Sequence, residues 1–356
     1  MRVIFAGGGT GGHLFPGIAV AREFQRRDPK TEILFVGTQQ GIESRVLPKE
    51  GLRLFTIPVK GLKGRGARGF VDALYGVPAG LLRSLRIVGG FHPDFIIGLG
   101  GYASGPLLLA GKLKRIRCAI MEQNLRPGFT NKLLGRFVDG VFTSYRESSV
   151  YFPGAKNLLE TGNPIRWSSL PEVQHGEKFT LLIFGGSAGA HRINVAMAEA
   201  VEKLTDLADR IRIIHQTGQA DLSWVREIYQ RFPLQAEVTA FIDRMDQAYA
   251  HADLVLCRAG ATTVAELTAF GKAAILVPFP YAIYDHQQEN ALALQNHGAA
   301  EMILDRDLNG EILVARIRDY VSNPERIEKM AAAARALGRP DAAARIVDVC
   351  YALAHG

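Results

Sequence analysis

Short apolar runs alternate with longer amphipathic stretches along the first half of the chain. The apolar runs that predict buried strands cover residues 3–6, 33–36, 95–97, 119–121 and 141–142. Stretches with helical periodicity, such as 18–27 and 103–113, lie between them. Continuously apolar strands separated by amphipathic helices predict a doubly wound parallel sheet, and therefore an α/β fold.

The same alternation restarts after the segment that contains Gly162 and Pro164. The second set of predicted strands covers residues 181–184, 211–215, 237–239, 254–257 and 274–277. The tail from Gly310 onward is helical in pattern and rich in alanine. Glycine permits unusual dihedrals and proline blocks the continuation of helices and strands, so the segment is expected to be a hinge. A length of 356 residues also favours two domains.

Each half opens with an apolar run, a glycine-rich loop and a helical pattern. Residues 2–13 read RVIFAGGGTGGH, and residues 179–191 read FTLLIFGGSAGAH. Backbone N–H groups of such a loop, together with the positive end of the following helix, attract anions. We therefore expect two similar domains that hold a phosphate-bearing ligand in a shared cleft. The first loop does not match the P-loop spacing. Gly7, Gly9 and Gly12 fit G-x-G-x-x-G, but the second predicted strand, 33–36, carries no acidic residue, so a dinucleotide site is the weaker interpretation.

Other polar residues follow predicted strands and have two possible roles. His13 is either a proton acceptor at the mouth of the cleft or a structural cap of its loop. Thr263 and Glu266 have the spacing of a helix capping box, which is the favoured interpretation, while Glu266 could instead accept hydrogen bonds from sugar hydroxyls. Glu122-Gln123-Asn124 follows a buried strand, at the sheet edge where ligands usually bind in such folds.

The net charge of +7 is unevenly distributed. Residues 1–163 carry 23 basic and 11 acidic side chains, or +12, and residues 164–356 carry 19 and 24, or −5. Residues 60–88 hold six basic side chains, one acidic side chain and many apolar ones. This segment is either a contact with an anionic membrane or a basic loop before an ordinary core helix. The uncharged run 95–111 is too short and too rich in glycine and proline to span a membrane.

Metal and disulfide chemistry are not expected. The three cysteines lie far apart, which favours a reducing, cytoplasmic setting. The histidines form no H-x-x-x-H or mixed Cys/His cluster. Asp305-Arg306-Asp307 is the one D-x-D sequence, and metal binding there is the less favoured interpretation.

Taken together, several short motifs in order along nearly the whole chain resemble the MurG family of bacterial glucosaminyltransferases. These motifs are GGTGGH at 8–13, GGY at 100–102, EQN at 122–124, GNPIR at 162–166, GGS at 185–187, FID at 241–243, RAGA at 258–261 and HQxxNA at 286–291. The resemblance implies a GT-B fold of two Rossmann-like domains. It also implies transfer of N-acetylglucosamine from UDP-N-acetylglucosamine to the C4 hydroxyl of MurNAc in lipid I, which gives lipid II.

The resemblance further implies a domain arrangement and a location. We expect a membrane-facing, acceptor-binding domain at 1–163, a UDP-N-acetylglucosamine-binding domain at 164–340, and a helix at 341–356 packed back on the first domain. The enzyme would act as a peripheral protein on the cytoplasmic face of the inner membrane, through residues 60–88. It would need no cofactor or metal and would have no nucleic-acid partner.

Carried over residue by residue, the family's motifs give this chain a set of site residues. His13 and Glu122 would be catalytic, and Tyr102 and Asn131 would shape the acceptor side. The residues expected to bind the donor are Thr10, Gly11, Gly12, Asn124, Arg166, Ser187, Ile242, Ala261, Thr262, Thr263, Val264, Ala265, Glu266 and Gln287. Ala188 and Thr262 depart from the family pattern, which commonly has glutamine and leucine there.

The expected mechanism is an inverting, metal-independent transfer with His13 as the base. Three alternatives remain open at this point. A diacylglycerol glycosyltransferase of the same fold would also need a basic, apolar membrane face. A UDP-N-acetylglucosamine 2-epimerase would share the fold but need no lipid, and a non-catalytic UDP-sugar binding module would bind the nucleotide without turnover.

Overall fold

A computed structural model describes residues 1–39, 41–58, 66–174, 176–186, 188–282 and 285–355, and for residues 66–77 it describes the backbone alone. The chain forms two units, one comprising residues 1–168 and 339–356 and the other residues 169–338. The first unit contains all of the segment predicted to be a hinge, and its boundary falls a few residues beyond the predicted one.

The first unit contains a fully parallel seven-stranded sheet. Its strands are β1 (Arg2–Gly7), β2 (Glu32–Gly37), β3 (Arg53–Thr56), β4 (Phe95–Gly100), β5 (Arg117–Glu122), β6 (Gly140–Thr143) and β7 (Leu158–Glu160). Its helices before the second unit are α1 (Gly11–Arg27), α2 (Glu43–Val46), α3 (Gly66–Phe91), α4 (Ser104–Leu113) and α5 (Phe129–Leu134), with a 3-10 helix at Arg146–Tyr151. The strand order is β3-β2-β1-β4-β5-β6-β7.

The second unit contains a fully parallel six-stranded sheet. Its strands are β8 (Phe179–Phe184), β9 (Ile211–Gln216), β10 (Gln235–Thr239), β11 (Leu254–Cys257), β12 (Ala273–Leu276) and β13 (Glu301–Met302). Its helices are α6 (His191–Val201), α7 (Leu222–Tyr229), α8 (Met245–His251), α9 (Ala261–Phe270), α10 (His286–Asn296), α11 (Gly310–Ser322) and α12 (Pro324–Leu337), with a 3-10 helix at Glu202–Leu207. The strand order is β10-β9-β8-β11-β12-β13.

Both faces of the first sheet are buried, as the continuous apolar runs predicted. Side chains of successive strand residues point to opposite faces. Val3 and Phe5 pack with α1 on one face, and Ile4 and Ala6 pack with α4 on the other. The Phe5 ring also stacks on Phe35, with ring centroids 5.0 Å apart.

A last helix, α13 (Ala342–His355), belongs to the first unit. Its buried residues, Ile346 and Cys350 among them, share the core that lies under α1. Arg27 of α1 forms an ion pair with Asp348 and donates a hydrogen bond to the carbonyl oxygen of Ala344 at 2.9 Å. The end of the chain is therefore an integral part of the first unit.

Each of the predicted strands is present, and three further strands were missed. These are β3, β7 and β13, and each lies at an edge of its sheet. Their side chains are partly or largely exposed, so the sequence there lacks a continuous apolar run. These three strands are also short, so apolar content did not reveal them, whereas the longer edge strand β10 was predicted.

Candidate active site

The first glycine-rich loop joins β1 to α1 and lies against the end of β4. Thr10 is the extended N-cap residue of α1, so the first N–H groups of that helix have no partner within the helix. The hydroxyl of Ser104 donates to the carbonyl oxygen of Ala6 at 2.7 Å and accepts from the N–H of Gly100 at 3.1 Å. Ser104 therefore ties the ends of two neighbouring strands together beneath the loop.

His13 lies in the first turn of α1, and its ring faces the end of β4. Its Nδ1 lies 3.1 Å from Oγ1 of Thr10. A Cβ added to Gly100 would come within 3.3 Å of His13 Nε2 and within 3.6 Å of Asn131 Nδ2. The absence of a side chain at Gly100 therefore lets the imidazole and the Asn131 amide approach the same point.

Glu122 ends β5 and organises the loop that follows. One carboxylate oxygen accepts from the N–H of Asn124 at 3.0 Å, and the other accepts from Nδ2 of Asn131 at 2.9 Å and from the N–H of Gly128 at 3.3 Å. The side chain is 3 % exposed, and this burial raises the pKa of Glu122, although the hydrogen bonds oppose that shift. These contacts favour a positioning role over direct proton transfer.

Two predicted site residues of the first unit lie at its surface. Tyr102 follows the β4 end and is 44 % exposed. The guanidinium of Arg166 lies over the ring of Phe15 at 5.1 Å and over that of Trp167 at 5.0 Å. Because Phe15 also contacts Gly11, Arg166 lies close to the first glycine-rich loop.

The second glycine-rich loop, residues 185–190, is held by the segment that follows β9. Gln216 Nε2 donates to the carbonyl oxygen of Gly186 at 2.9 Å. Gly189 has φ of +80°, and a Cβ there would lie 2.0 Å from the carbonyl oxygen of Thr217. Glycine is therefore required at this position for both conformation and space. Ser187 lies outside the described residues.

A buried chain of hydrogen bonds supports this loop from below. Asn194 of α6 donates from Nδ2 to the carbonyl oxygen of Thr217 at 2.9 Å and to Asp221 at 2.7 Å. Its Oδ1 lies 3.0 Å from Nε2 of His215, whose Nδ1 lies 3.1 Å from the hydroxyl of Tyr229. Because Asn194 Oδ1 can only accept, His215 carries its proton on Nε2. Burial lowers the pKa of His215 to about 3, so the ring is neutral.

The third strand–loop–helix junction joins β11 to α9 and corrects the capping-box interpretation. The N-cap is Gly260 in an extended conformation, and α9 begins at Ala261. Thr263 is therefore inside the helix and cannot be its N-cap. Glu266 is buried and accepts a hydrogen bond from the hydroxyl of Tyr249 at 3.1 Å. The capping-box prediction is wrong because Thr263 lies one helical turn after the actual N-cap, Gly260.

The remaining predicted donor residues lie at this junction and in two nearby loops. Ala261, Thr262, Thr263, Val264, Ala265 and Glu266 form the first turns of α9. Ile242 is half-buried in the loop between β10 and α8. Gln287 lies in the first turn of α10, where its Oε1 accepts from the N–H of Phe279 at 3.0 Å.

The predicted membrane segment is described only in part. Lys60, Lys63 and Arg65 lie outside the described residues, and the side chain of Arg68 does as well. The described end of α3 exposes 61 % of Leu82. In the described ranges, no helix combines the length and the apolar content needed to cross a bilayer.

Sequence reasoning missed the residues that support the loops, above all Glu43, Ser104 and Asn194. Each is a buried polar side chain with at least one backbone partner distant in sequence. The one available signal was an isolated polar residue close to a glycine-rich strand end. That signal is too common in sequences to identify such a residue without a structure.

Models of known families match most of this chain. The glycosyltransferase family 28 N-terminal domain matches residues 3–143, and the family 28 C-terminal domain matches residues 180–346. The chain has two Rossmann-like parallel-sheet units with glycine-rich strand–helix junctions, and each of the two family models matches mainly one unit. The chain is therefore a glycosyltransferase of the GT-B fold.

Similarity to individual proteins narrows this class. A Myxococcus xanthus protein is 51% identical, with 99% of this chain and 93% of that protein covered, and a Geobacter sulfurreducens protein is 49% identical, with 98% and 97% covered. Both are named UDP-N-acetylglucosamine–N-acetylmuramyl-(pentapeptide) pyrophosphoryl-undecaprenol N-acetylglucosamine transferase. The crystal structure of Acinetobacter baumannii MurG has a TM-score of 0.81 at 32% identity, with 98% of this chain and 99% of that chain covered. The chain belongs to the MurG family, and the family and fold predicted from the sequence are confirmed.

Proposed function

We propose that this chain transfers N-acetylglucosamine from UDP-N-acetylglucosamine to the C4 hydroxyl of MurNAc in lipid I, with inversion at the anomeric carbon and without a metal ion. The observation that carries the proposal is similarity at about half of all positions, over almost the full chain, to proteins named for this reaction. The site residues expected from the sequence give it a chemical basis in each unit.

The second unit supplies the chemistry for a nucleotide diphosphate. The loop before α6 has glycines at Gly186 and Gly189 with φ of +93° and +80°, which open the backbone to a ligand. The N-termini of α6 and α9 carry partial positive charge that favours phosphate. In this proposal Ser187 binds the diphosphate, Glu266 binds the ribose hydroxyls, and Ile242 and Gln287 contact the uracil and the sugar. Arg166, which lies in the first unit, would also bind the diphosphate.

The first unit supplies the base. A base for the acceptor hydroxyl must present an unprotonated ring nitrogen within hydrogen-bond reach of that hydroxyl. Thr10 Oγ1 lies beside Nδ1 of His13 and holds the ring, so that Nε2 faces Gly100 and Asn131. We propose that Nε2 accepts the proton of the C4 hydroxyl as the C4 oxygen attacks the anomeric carbon and UDP departs. Thr10, Gly11, Gly12 and Asn124 would contact the donor sugar, and Tyr102 the acceptor.

Independence from metal has one local support. Asp305, in the D-x-D sequence, accepts a hydrogen bond from the half-buried Arg258 guanidinium and is thus already paired. Transfer in EDTA at the rate seen with added magnesium would support the proposal, and a strict magnesium requirement would contradict it. Proton NMR of the product tests inversion, because an α-configured donor must give a β-linked disaccharide.

Assays with three substrate sets test the reaction itself. Labelled donor with lipid I should give labelled lipid II. Labelled donor with diacylglycerol should give no glycolipid, and donor alone should give no epimer. Product from diacylglycerol, or the epimer from donor alone, would replace the proposal with one of the two rival enzymes. Tight UDP-sugar binding without any product would favour a binding module.

An anionic membrane surface on the cytoplasmic side is the proposed location of the acceptor. Besides residues 60–88, the helix α4 packs on α3 and on α5 and exposes large apolar side chains. Leu113 is 61 % exposed in α4, and Phe129 is 74 % exposed in α5. Lys114 and Arg115 are exposed directly after α4. Exposed apolar side chains beside basic ones suit an anionic bilayer.

Co-sedimentation with vesicles of anionic lipid tests this surface. Leu113→Glu and Phe129→Glu should each lower the bound fraction several-fold, because the bilayer no longer gains an apolar contact and repels the new charge. Charge reversal at Lys63, Arg65 and Arg68 should act in the same direction. Val173→Glu, at an exposed apolar position of the second unit, is the matched control. Equal binding of all variants would remove this face as the membrane contact.

A further inference from the structure

The buried carboxylate of Glu43 lies directly beneath the first glycine-rich loop. Glu43 is the first residue of α2 and is 1 % exposed. Its Oε2 accepts from the N–H of Gly9 at 2.8 Å, while Oε1 accepts from the N–H of Thr38 at 2.8 Å and from the Thr38 hydroxyl at 3.1 Å. One side chain therefore links the loop after β1 to the end of β2.

Three glycines leave the space that Glu43 fills. A Cβ at Gly8 would lie 2.9 Å from Oε2, one at Gly37 would lie 2.6 Å from Cγ, and one at Gly41 would lie 2.0 Å from Oε2. Three chain segments thus contribute glycines to one carboxylate. The Glu43 side chain fills this space, and each of its carboxylate oxygens accepts from a backbone N–H.

The contact continues from Glu43 to the candidate base. Gly8 and Gly9 have φ of +136° and +86°, a conformation that glycine adopts readily and other residues rarely. Glu43 fixes Gly9, which directly precedes Thr10, and Thr10 contacts Nδ1 of His13. A loop of this type usually gives its N–H groups to a bound anion. Here Glu43 supplies an anion from within the protein.

We infer that Glu43 is a positioning residue of the glycosyl transfer, which holds Gly9 and Thr10 so that His13 faces the acceptor hydroxyl. The inference rests on the proposed function only in its reference to that hydroxyl. The requirement for a carboxylate follows from the two backbone donors. A glutamine can accept at one oxygen, and its NH₂ group would meet an N–H donor, which leaves a buried donor without a partner.

Glu43→Gln is the direct test. We expect kcat with lipid I to fall about 10²-fold, as for a displacement of a reacting group by roughly 1 Å, with the Kd for UDP unchanged. In a His13→Ala background the same substitution should have little further effect, because Glu43 acts through His13. Amide hydrogen exchange at residues 9–14 should accelerate in Glu43→Gln, and this measurement does not depend on activity.

Control variants separate positioning from a general loss of stability. Glu23→Gln removes another buried carboxylate of the first unit, one that pairs with Arg26 and Arg27. It should change thermal stability without changing exchange at residues 9–14. Thr38→Val removes only the hydroxyl donor to Glu43, so it should fold even where Glu43→Gln does not, and should lower kcat a few-fold.

Two outcomes would overturn the inference. One is unchanged exchange at residues 9–14 in Glu43→Gln and in Thr38→Val. The other is a full, additive loss when Glu43→Gln is combined with His13→Ala. If the wild-type protein fails to glycosylate lipid I while exchange still accelerates in Glu43→Gln, the proposed function fails but the placement of Glu43 under the loop stands.

Discussion

The loop after β1 rests on a carboxylate, whereas the loop after β8 rests on amides and backbone carbonyls. In the first unit Glu43 accepts from the N–H of Gly9. In the second unit Gln216 donates to the carbonyl of Gly186, and Asn194 fixes the segment that packs on Gly189. The loop of the first unit is thus held directly by a carboxylate, whereas the loop of the second unit is held directly by amide side chains, with the Asp221 carboxylate behind Asn194.

The groups that support each loop indicate which ligand each loop can bind. Amide support of the second loop is compatible with a diphosphate at the positive end of the helix that follows it, as the proposed function requires. An internal carboxylate in the first unit already satisfies one loop N–H and places negative charge beside the loop. The first loop is therefore better suited to hold a hydroxyl and a base than a second diphosphate.

The largest expected effect concerns the histidine that ends each motif. His13→Ala should lower kcat by about 10²–10⁴-fold, the usual contribution of general base catalysis, with UDP affinity nearly unchanged. His191→Ala is the matched control, because His191 ends the second motif but its side chain is 73% exposed and contacts Asp221 and Trp224. Steady-state kinetics with lipid I measures both. A similar fall in kcat in both variants would mean that the histidines of the two loops do not differ in their role.

Adding a methyl group to each loop should have unequal effects on stability. Gly189→Ala should destabilise the protein by about 2–5 kcal/mol, because the methyl group would overlap the Thr217 carbonyl and φ is positive. Gly9→Ala should cost about 1–2 kcal/mol, since φ is +86° but no described atom lies within 4 Å of the added Cβ. Urea unfolding compares them, and an equal cost would contradict the tighter support of the second loop.

Acid should weaken the second loop's support through His215. The pKa of His215 is about 3 in the folded protein and about 6.5 when unfolded, so between these values the unfolded chain binds the extra proton. Stability therefore falls as pH falls, by about 2 kcal/mol between pH 7 and pH 5 for this group. Urea unfolding at both pH values should show a smaller loss in His215→Gln. The same loss in both proteins would assign the acid sensitivity to other groups.

The smallest effect is expected at the third junction, where no side chain caps the helix. Thr263→Ala should change the free energy of unfolding by less than about 0.5 kcal/mol, whereas loss of a true threonine N-cap typically costs about 1 kcal/mol. If Thr263→Ala instead lowered the free energy of unfolding by about 1 kcal/mol, in thermal or urea unfolding, Thr263 would act as a cap even though α9 begins at Ala261.

The repeated pattern of strand, glycine-rich loop and helix was readable in the sequence because it depends on local composition. Buried central strands need apolar side chains on both faces, so runs such as residues 3–6 and 254–257 identified them. The glycines at 7–9 and 185–189 marked the turns that follow. Edge strands β3, β7 and β13 escaped because they are short and their side chains are partly or largely exposed.

The amino-acid sequence by itself determined the two parallel-sheet units, the family and the positions of the three junctions, since short-range patterns of apolar residues and glycine encode them. Only the tertiary structure decided that Glu43 lies under Gly9, that Asn131 and His13 meet at Gly100, and that α9 begins before Thr263. These relations join residues far apart in the chain or depend on which backbone groups are already paired. No local pattern carries that information, because it arises only when the strands assemble.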